Sequence, residues 1–254
     1  LSLPCVGHSV GSPFIELQSV DSTNNYALAQ IHANLAQPGT CFFAHEQTAG
    51  KGQRGKSWAT EKGSNITLSI VLKPTFLPVL QQFWLSACVA VATHHFLSQY
   101  AGELTRIKWP NDLYWKDKKM GGILIENIVR GSGQGTWEWA VVGIGVNINQ
   151  TTFPGELKNP VSLKQITKHG YDTVELAKQL CRSVDFFYNK LDQEFALILG
   201  KYNEHLYGKN EIVKLKKDNR IFEARVKGVN EAGQLIVQHA IEEPFDFGRI
   251  EWII

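Results

Sequence analysis

From Gly50 to Ser57 the chain reads Gly-Lys-Gly-Gln-Arg-Gly-Lys-Ser, a letter-for-letter fit to the G-x-x-x-x-G-K-[ST] pattern of a phosphate-binding loop. The pattern divides fold classes sharply. A P-loop must open a helix whose N-terminus faces the phosphates, within a sheet wound with helices. After Ser57 the chain continues Trp58-Ala59-Thr60-Glu61-Lys62-Gly63-Ser64-Asn65, which has no apolar helical stripe and ends in turn residues. No later apolar strand ends in an Asp suited to magnesium, unless Ile107–Asp112 is forced into that role across Pro110. The match is coincidental, and the loop belongs to another architecture.

The order of elements says which one. Phe14–Gln18 alternates as a short strand, and Asp21-Ser22-Thr23 offers N-cap chemistry for a helix to about Ala33. Strands are expected at Thr40–Glu46 and Asn65–Lys73, on either side of the basic loop. Leu80, Phe83, Trp84, Ala87, Cys88 and Val91 recur at helical spacing and predict a helix over about Val79–Tyr100. His94 and His95 fall on it as helix-face positions. Strands are expected next at Thr105–Trp109, Asp112–Trp115, Gly122–Val129 and Trp137–Asn147, the last two joined as a hairpin through Gly131–Gly135. Asp172-Thr173 caps one long helix to about Leu199, with Leu176, Leu180, Val184, Phe187 and Leu191 on its buried face. After Gly208, short strands are expected at Glu211–Lys216, Ile221–Val229, Gln234–Gln238 and Arg249–Ile254, a module the size of a five-strand barrel. Helices and strands mix without strict βαβ alternation, so the fold class is α+β.

Composition narrows the function. The 254 residues carry 26 basic and 24 acidic side chains, a formal net charge of +2. A duplex-binding protein shows a stronger basic footprint, so nucleic acid is not the expected partner. Cys5, Cys41, Cys88 and Cys181 lie far apart without a CxxC pair, which points to structural thiols rather than zinc ligands or a disulfide framework. The most apolar stretch, around Phe83–Leu97, is interrupted by Thr93, His94 and His95, so no membrane span is expected. No secretory leader is legible, and the expected setting is cytoplasmic.

Four constellations carry chemistry. Gln47 leads into the loop Gly50–Trp58, whose three glycines and three cations suit a phosphate. Lys108-Trp109-Pro110-Asn111-Asp112 sets a rigid turn at a strand end, where Asn and Asp can be aimed. Lys119-Met120-Gly121-Gly122-Ile123-Leu124-Ile125-Glu126 places a lone cation beside two glycines entering an apolar strand. Gly143-Ile144-Gly145-Val146-Asn147 puts two glycines inside a strand, a sign that another backbone or a ligand approaches closely. Each is weak alone: a surface loop, a hairpin corner, a surface lysine, a weakened strand.

In this order and spacing, together with Asp21-Ser22-Thr23-Asn24, they resemble the biotin–protein ligase family along nearly the whole chain. The resemblance implies a catalytic domain like that of class II aminoacyl-tRNA synthetases over residues 1–207, with a mixed sheet and flanking helices. A small β-barrel domain would occupy residues 208–254. The resemblance also implies ATP, Mg2+ and biotin as reactants, biotinyl-5′-adenylate as intermediate, and a lysine of a biotin carboxyl carrier protein as acceptor. Family members that also act as repressors carry an amino-terminal helix-turn-helix, for which there is no room before Phe14, so the ligase-only form is expected, as monomer or homodimer.

By the same resemblance, Ser22, Thr23, Asn24 and Gln47 line the biotin site, where short polar groups would satisfy the ureido ring. Gly50, Lys51, Gly52 and Gln53 would fold over biotin, with Gly121 and Gly122 beside it. Lys119 would contact the carboxylate and the α-phosphate. Arg54, Lys56, Asn111 and Asn147 would hold the ATP phosphates and the magnesium that arrives with them, no residue being assigned to the metal itself. Trp58 would flank adenine or close the loop, and Asp112 would orient, or take a proton from, the acceptor amine. Lys119, Asp112 and Arg54 form the expected catalytic set. The chain departs from the family's Gly-Arg-Gly-Arg-Arg-Gly pattern at Lys51 and Gln53. The second missing arginine is associated with retaining the adenylate, so Gln53 is carried over as a backbone contact only. A lipoate–protein ligase shares the adenylate chemistry but has no need of a ureido site, and a non-enzymatic biotin-binding regulatory module is the alternative of a different class.

Overall fold

The computed structural model describes residues 9–130 and 136–253; Cys5 and the expected hairpin loop Gly131–Gly135 lie outside them. The main sheet has seven strands: β1 (Phe14–Leu17), β2 (Cys41–Ala44), β3 (Asn65–Leu72), β4 (Thr105–Lys108), β5 (Asp112–Trp115), β6 (Lys118–Arg130) and β7 (Thr136–Asn147). Their order is β1-β2-β3-β7-β6-β5-β4. Only β1–β2 is parallel; the other ladders are antiparallel. The fold is therefore a mixed-sheet α+β architecture, not a doubly wound one.

The helices are α1 (Thr23–His32), α2 (Gln82–Ala101), α3 (Leu163–Thr167), α4 (Thr173–Tyr188) and α5 (Leu191–Glu204). All eight residues of β3 are buried, because both faces of the sheet are covered. Ile66, Leu68, Ile70 and Leu72 join the main core with α2 and α4, while Val71 packs with Ala27, Ile31, Phe42 and Val141 beneath α1. Strand alternation puts Thr67 and Ser69 on the same face as Val71. A polar floor thus lies under the start of α1.

Helix α2 starts at Gln82, three residues later than the expected Val79. From Ala87 to Leu97 it is buried almost all round, as befits a helix through the centre of the domain. Leu80 precedes it and stands 87% exposed. His94 is buried; its Nε2 lies 3.0 Å from the Thr105 carbonyl, and its ring stacks on His205 with centroids 4.1 Å apart. Burial, reinforced by His205, holds the His94 imidazole at about 4. An unfolded histidine takes up its proton near 6.5. As pH falls from about 6.5 towards 4, the unfolded chain binds a proton the native state refuses, so stability held at neutral pH is lost across that window. A loss of about 3 kcal/mol by pH 4 is expected from this residue. Denaturant titrations at pH 7 and pH 4 check it: the difference should shrink by that amount in His94→Gln, whose amide still donates to Thr105.

The expected long helix after Asp172 is two. Asp172 does cap α4, its Oδ1 accepting from Val174 and Glu175 N–H. The chain then breaks at Asn189-Lys190 and turns, so that Phe195 of α5 can stack face to face on Trp84 at 3.8 Å. One straight helix cannot follow both packing directions. The short α3 is absent from the sequence expectations, although Ser162-x-x-Gln165 is a capping box: Ser162 Oγ accepts from Gln165 N at 3.2 Å and Gln165 Oε1 from Ser162 N at 3.0 Å.

The second sheet comprises β8 (Ile212–Lys217), β9 (Arg220–Val229), β10 (Leu235–Gln238), β11 (Glu242–Phe245) and β12 (Glu251–Ile253), all antiparallel, in the order β11-β10-β9-β8-β12. Strand β11 escapes a sequence reading because Pro244 sits in it, and proline is tolerated only on such an edge. This C-terminal sheet is tied down over the main one. Asn203 of α5 donates to Val229 O and accepts from Val229 N, and the Trp109 indole donates to Gly233 O at 2.9 Å. Cys41, Cys88 and Cys181 are buried, the first and last with sulfurs 3.6 Å apart, and burial pushes the Cys41 and Cys88 thiols up. No helix among the described residues is long and apolar enough to cross a membrane.

Candidate active site

A cavity of about 670 Å³ opens between the main sheet, the glycine-rich loop and the C-terminal sheet. Its neutral end is built around the start of α1. Ser22 stands at the N-cap position yet makes no side-chain cap bond. Gln47 caps the helix from outside instead, its Oε1 accepting from Thr23 N at 2.8 Å and from Thr23 Oγ1 at 3.1 Å. The segment around Gln47 is held parallel to the approach to α1, with Thr48 N–H bonded to Val20 O and Ala49 N–H to Asp21 O. Ser22 is thereby left to line the cavity.

Asn24 is clamped on both sides. Ser69 Oγ lies 2.6 Å from Asn24 Oδ1 and 2.8 Å from Thr23 Oγ1, and Asn24 Nδ2 donates to Glu126 Oε2 at 2.7 Å. The interior glycines of β7 are accounted for by this packing. A Cβ on Gly143 would meet Asn24 Oδ1 at 2.4 Å, and one on Gly145 would meet the Trp58 indole at 2.5 Å. The expected approach of another backbone or a ligand is corrected here: side chains of the protein's own helix and loop occupy the space over both glycines.

The charged end lies on β5 and β6. Asp112 begins β5 and Lys119 lies on β6 beside a bulge between Leu113 and Tyr114, which brings Lys119 Nζ to 2.7 Å from Asp112 Oδ1. Lys108 ends β4 with its ammonium 4.9 Å from the Tyr114 ring and 5.7 Å from that of Trp252. Burial lowers Lys108 to about 8; Asp112 opposes the shift, and Lys119 and Lys56 add to it. Asn111 and Asn147 line the cavity, and each donates its amide to a backbone carbonyl: Asn111 to Ile123 O at 2.6 Å, Asn147 to Val161 O at 3.2 Å. Each can therefore offer a ligand an acceptor oxygen.

The glycine-rich segment is a small hairpin. Lys51 and Ser57 face each other across it, Gly52 N–H donates to Lys56 O and Trp58 N–H to Gly50 O, and Arg54 and Gly55 turn the tip with φ of +57° and +73°. This is a primed β-turn, not the start of a helix, so the P-loop pattern is indeed accidental. Two of its three cations are already engaged: Lys51 Nζ sits 3.8 Å from Glu126 Oε1, and the Arg54 guanidinium lies over the Phe247 ring. Gln53 Oε1, Trp58 Nε1 and Trp252 Nε1 are buried without a hydrogen-bond partner among the described residues.

The cavity wall thus contains Ser22, Thr23, Asn24 and Gln47, the loop residues Lys51 to Arg54, Lys56 and Trp58, and Asn111, Asp112, Lys119, Gly122 and Asn147. Gly50 and Gly121 stand behind it, against the Trp58 and Gly145 carbonyls. Sequence reasoning missed Ser69 and Glu126, which hold Asn24, and gave no role to Lys108, Phe247 or Trp252. Ser69 had a signal: three polar residues, Asn65, Thr67 and Ser69, alternate with apolar ones in β3. The C-terminal residues had none, since only the folded chain brings them here.

The sequence model of the "Biotin/lipoate A/B protein ligase family" matches residues 16–147, just over half of the chain. The chain belongs to that family. Within it, the biotin--[acetyl-CoA-carboxylase] ligase of Paracoccus denitrificans is 31% identical over 230 residues, covering 87% of this chain and 92% of that protein. The bifunctional ligase/repressor BirA of Bacillus spizizenii is 28% identical over 225 residues, 87% of this chain but 68% of that protein. The chain thus spans about two thirds of the length of that relative. Among solved structures of the family, the Aquifex aeolicus biotin protein ligase in complex with biotin and ATP matches with a TM-score of 0.78 at 25% identity, over 93% of this chain and 97% of that one. The match extends through the C-terminal sheet, so the two-sheet architecture is that of biotin protein ligases.

Proposed function

We propose that this chain activates biotin with ATP and transfers it to a lysine of a biotin carboxyl carrier protein. One observation carries the proposal: a single cavity joins a neutral, hydrogen-bonding end (Thr23, Asn24, Gln47) to a cationic end (Lys56, Lys108, Lys119). Biotin has that polarity, an uncharged ureido ring at one end and a carboxylate at the other. A carboxylate oxygen of biotin attacks the α-phosphorus of ATP, pyrophosphate leaves, and a mixed anhydride forms. The acceptor amine then attacks the biotinyl carbonyl, AMP leaves, and the amine loses a proton.

Lys119 and Lys56 offset the charge that gathers as carboxylate and triphosphate approach. With the Trp58 ring 5.8 Å from its ammonium, Lys119 acts more strongly than it would in open water. Asp112 lies beside Lys119 and orients, or takes a proton from, the acceptor amine in the second step. Magnesium would arrive with the ATP phosphates, beside Asn111 and Asn147 in the cavity wall. The cytoplasm, where ATP and reduced thiols coexist, is the matching compartment.

A lipoate ligase would have little use for the clamped Asn24, whose partners Ser69, Glu126 and Leu124 O hold a polar amide at the neutral end. The test is incubation with ATP and either biotin or lipoate, with mass detection of the acyl-adenylate and of released pyrophosphate. Biotinyl-adenylate with no lipoyl-adenylate is the expected result. Binding of biotin without pyrophosphate release would instead mean a non-catalytic biotin sensor.

A further inference from the structure

The tip of the glycine-rich hairpin rests on the C-terminal sheet. The Arg54 guanidinium lies 4.9 Å from the ring centroid of Phe247, in the connection between β11 and β12. Behind that ring stands Trp109, which meets Phe247 edge-on at 6.0 Å and whose indole N–H is anchored on Gly233 O. The Phe247 turn is itself braced, by Gln234 Nε2 donating to Asp246 Oδ1 at 3.0 Å and Arg249 N–H to Asp246 O at 3.1 Å. Gly248 leaves the space: a Cβ there would fall 1.6 Å from Arg54 Nη2, and its φ of +87° disfavours any other residue. The hairpin tip, the Phe247 turn and Trp109, far apart in sequence, thus follow one another in a series of contacts at the rim of the cavity.

An isolated two-stranded hairpin is marginal in water. The base of this one is held by the Lys51–Glu126 pair, and its tip by the Arg54–Phe247 contact. Opening the hairpin requires Arg54 to leave the ring. We propose that Phe247, backed by Trp109, is a positioning residue that keeps the glycine-rich hairpin closed through Arg54, so that the C-terminal sheet governs how long an activated intermediate stays bound. This rests on the adenylate chemistry proposed above. It also explains how the chain manages with an uncharged Gln53 in the hairpin: closure is supplied from outside the loop rather than by an added cation.

The test measures escape of preloaded, labelled biotinyl-adenylate without acceptor. Phe247→Leu, which keeps apolar packing on Trp109 but removes the π face, should release it about two- to five-fold faster, the range for a cation–π contact at an exposed site. Phe247→Tyr should match the parent, and Phe247→Leu in an Arg54→Met background should add nothing. A structural role alone would slow the pyrophosphate-releasing step and lower Tm equally in the Leu and Tyr variants. Unchanged release from Phe247→Leu, equal damage from Tyr, or additive effects in the double variant would overturn the proposal. If the parent forms no adenylate, the chemistry is what fails. The clasp is then judged by tryptic cleavage at Lys51 and Lys56: faster cutting in Phe247→Leu than in Phe247→Tyr supports it, and equal cutting overturns it.

Discussion

Lys119→Ala is expected to slow biotinyl-adenylate formation by about a hundred- to a thousand-fold, the loss seen when one pre-placed donor to a developing oxyanion is removed. Two anions, a carboxylate and a triphosphate, must come within bonding distance in this cavity, and Lys119 stands beside Asp112 at the point where its cationic end begins. A carboxylate without its lysine would add a third negative charge. Protein stability should barely change, because a partly exposed ion pair contributes about 1 kcal/mol or less. Single-turnover pyrophosphate release measures the effect, with a thermal melt beside it. Asp112→Asn separates the two half-reactions: it should leave activation largely intact and slow transfer from preformed adenylate to the acceptor lysine. Normal pyrophosphate release from Lys119→Ala would return that residue to the role of a surface cation.

Gln47→Leu should raise the Kd for biotin by about a hundred-fold, and by more than it lowers the rate at saturating biotin. The glutamine oxygen is the acceptor for both Thr23 N–H and Thr23 Oγ1, and it caps α1 in place of Ser22. Leucine matches its size but leaves the buried first-turn donor without a partner, a penalty of about 1–3 kcal/mol, in addition to the bonds lost. Thr23 and Ser69 would then be free to rotate, and Asn24 with them. Calorimetric titration with biotin alone reads the binding term, apart from any chemistry. An unchanged Kd would show that the helix start is held by other contacts and that this polar cluster does not recognise the ligand. Gln47→Glu is the informative companion: it keeps the acceptor for Thr23 but loses the amide donor.

Much of this protein was legible before folding. Alternation in β3 and strand-like runs between turn residues placed β3, β5 and β7 nearly to the residue. The absence of an apolar helical stripe after Ser57 was enough to reject a P-loop, and the structure puts a primed turn there. Lys119, Asp112, Asn24 and Gln47 were singled out by the serial order of short motifs that resembles the family, and the fold brings all four to one cavity. The features that the chain could not disclose by itself depend on long-range packing. The division between α4 and α5 is dictated by where Trp84 and Phe195 meet, not by any strong breaker at Asn189. Pro244 hid β11, since only the finished sheet makes that strand an edge. Ser22 reads as a cap by local chemistry, yet the cap is Gln47, twenty-four residues from Thr23. The partners of the cations were decided the same way: Lys51 on Glu126, Arg54 on Phe247 and Lys108 between Tyr114 and Trp252. Local propensity and spacing act over a few residues, and they determined elements and motifs. Side-chain pairing across a cavity is settled only when two sheets close over it, which is why none of these pairings was readable.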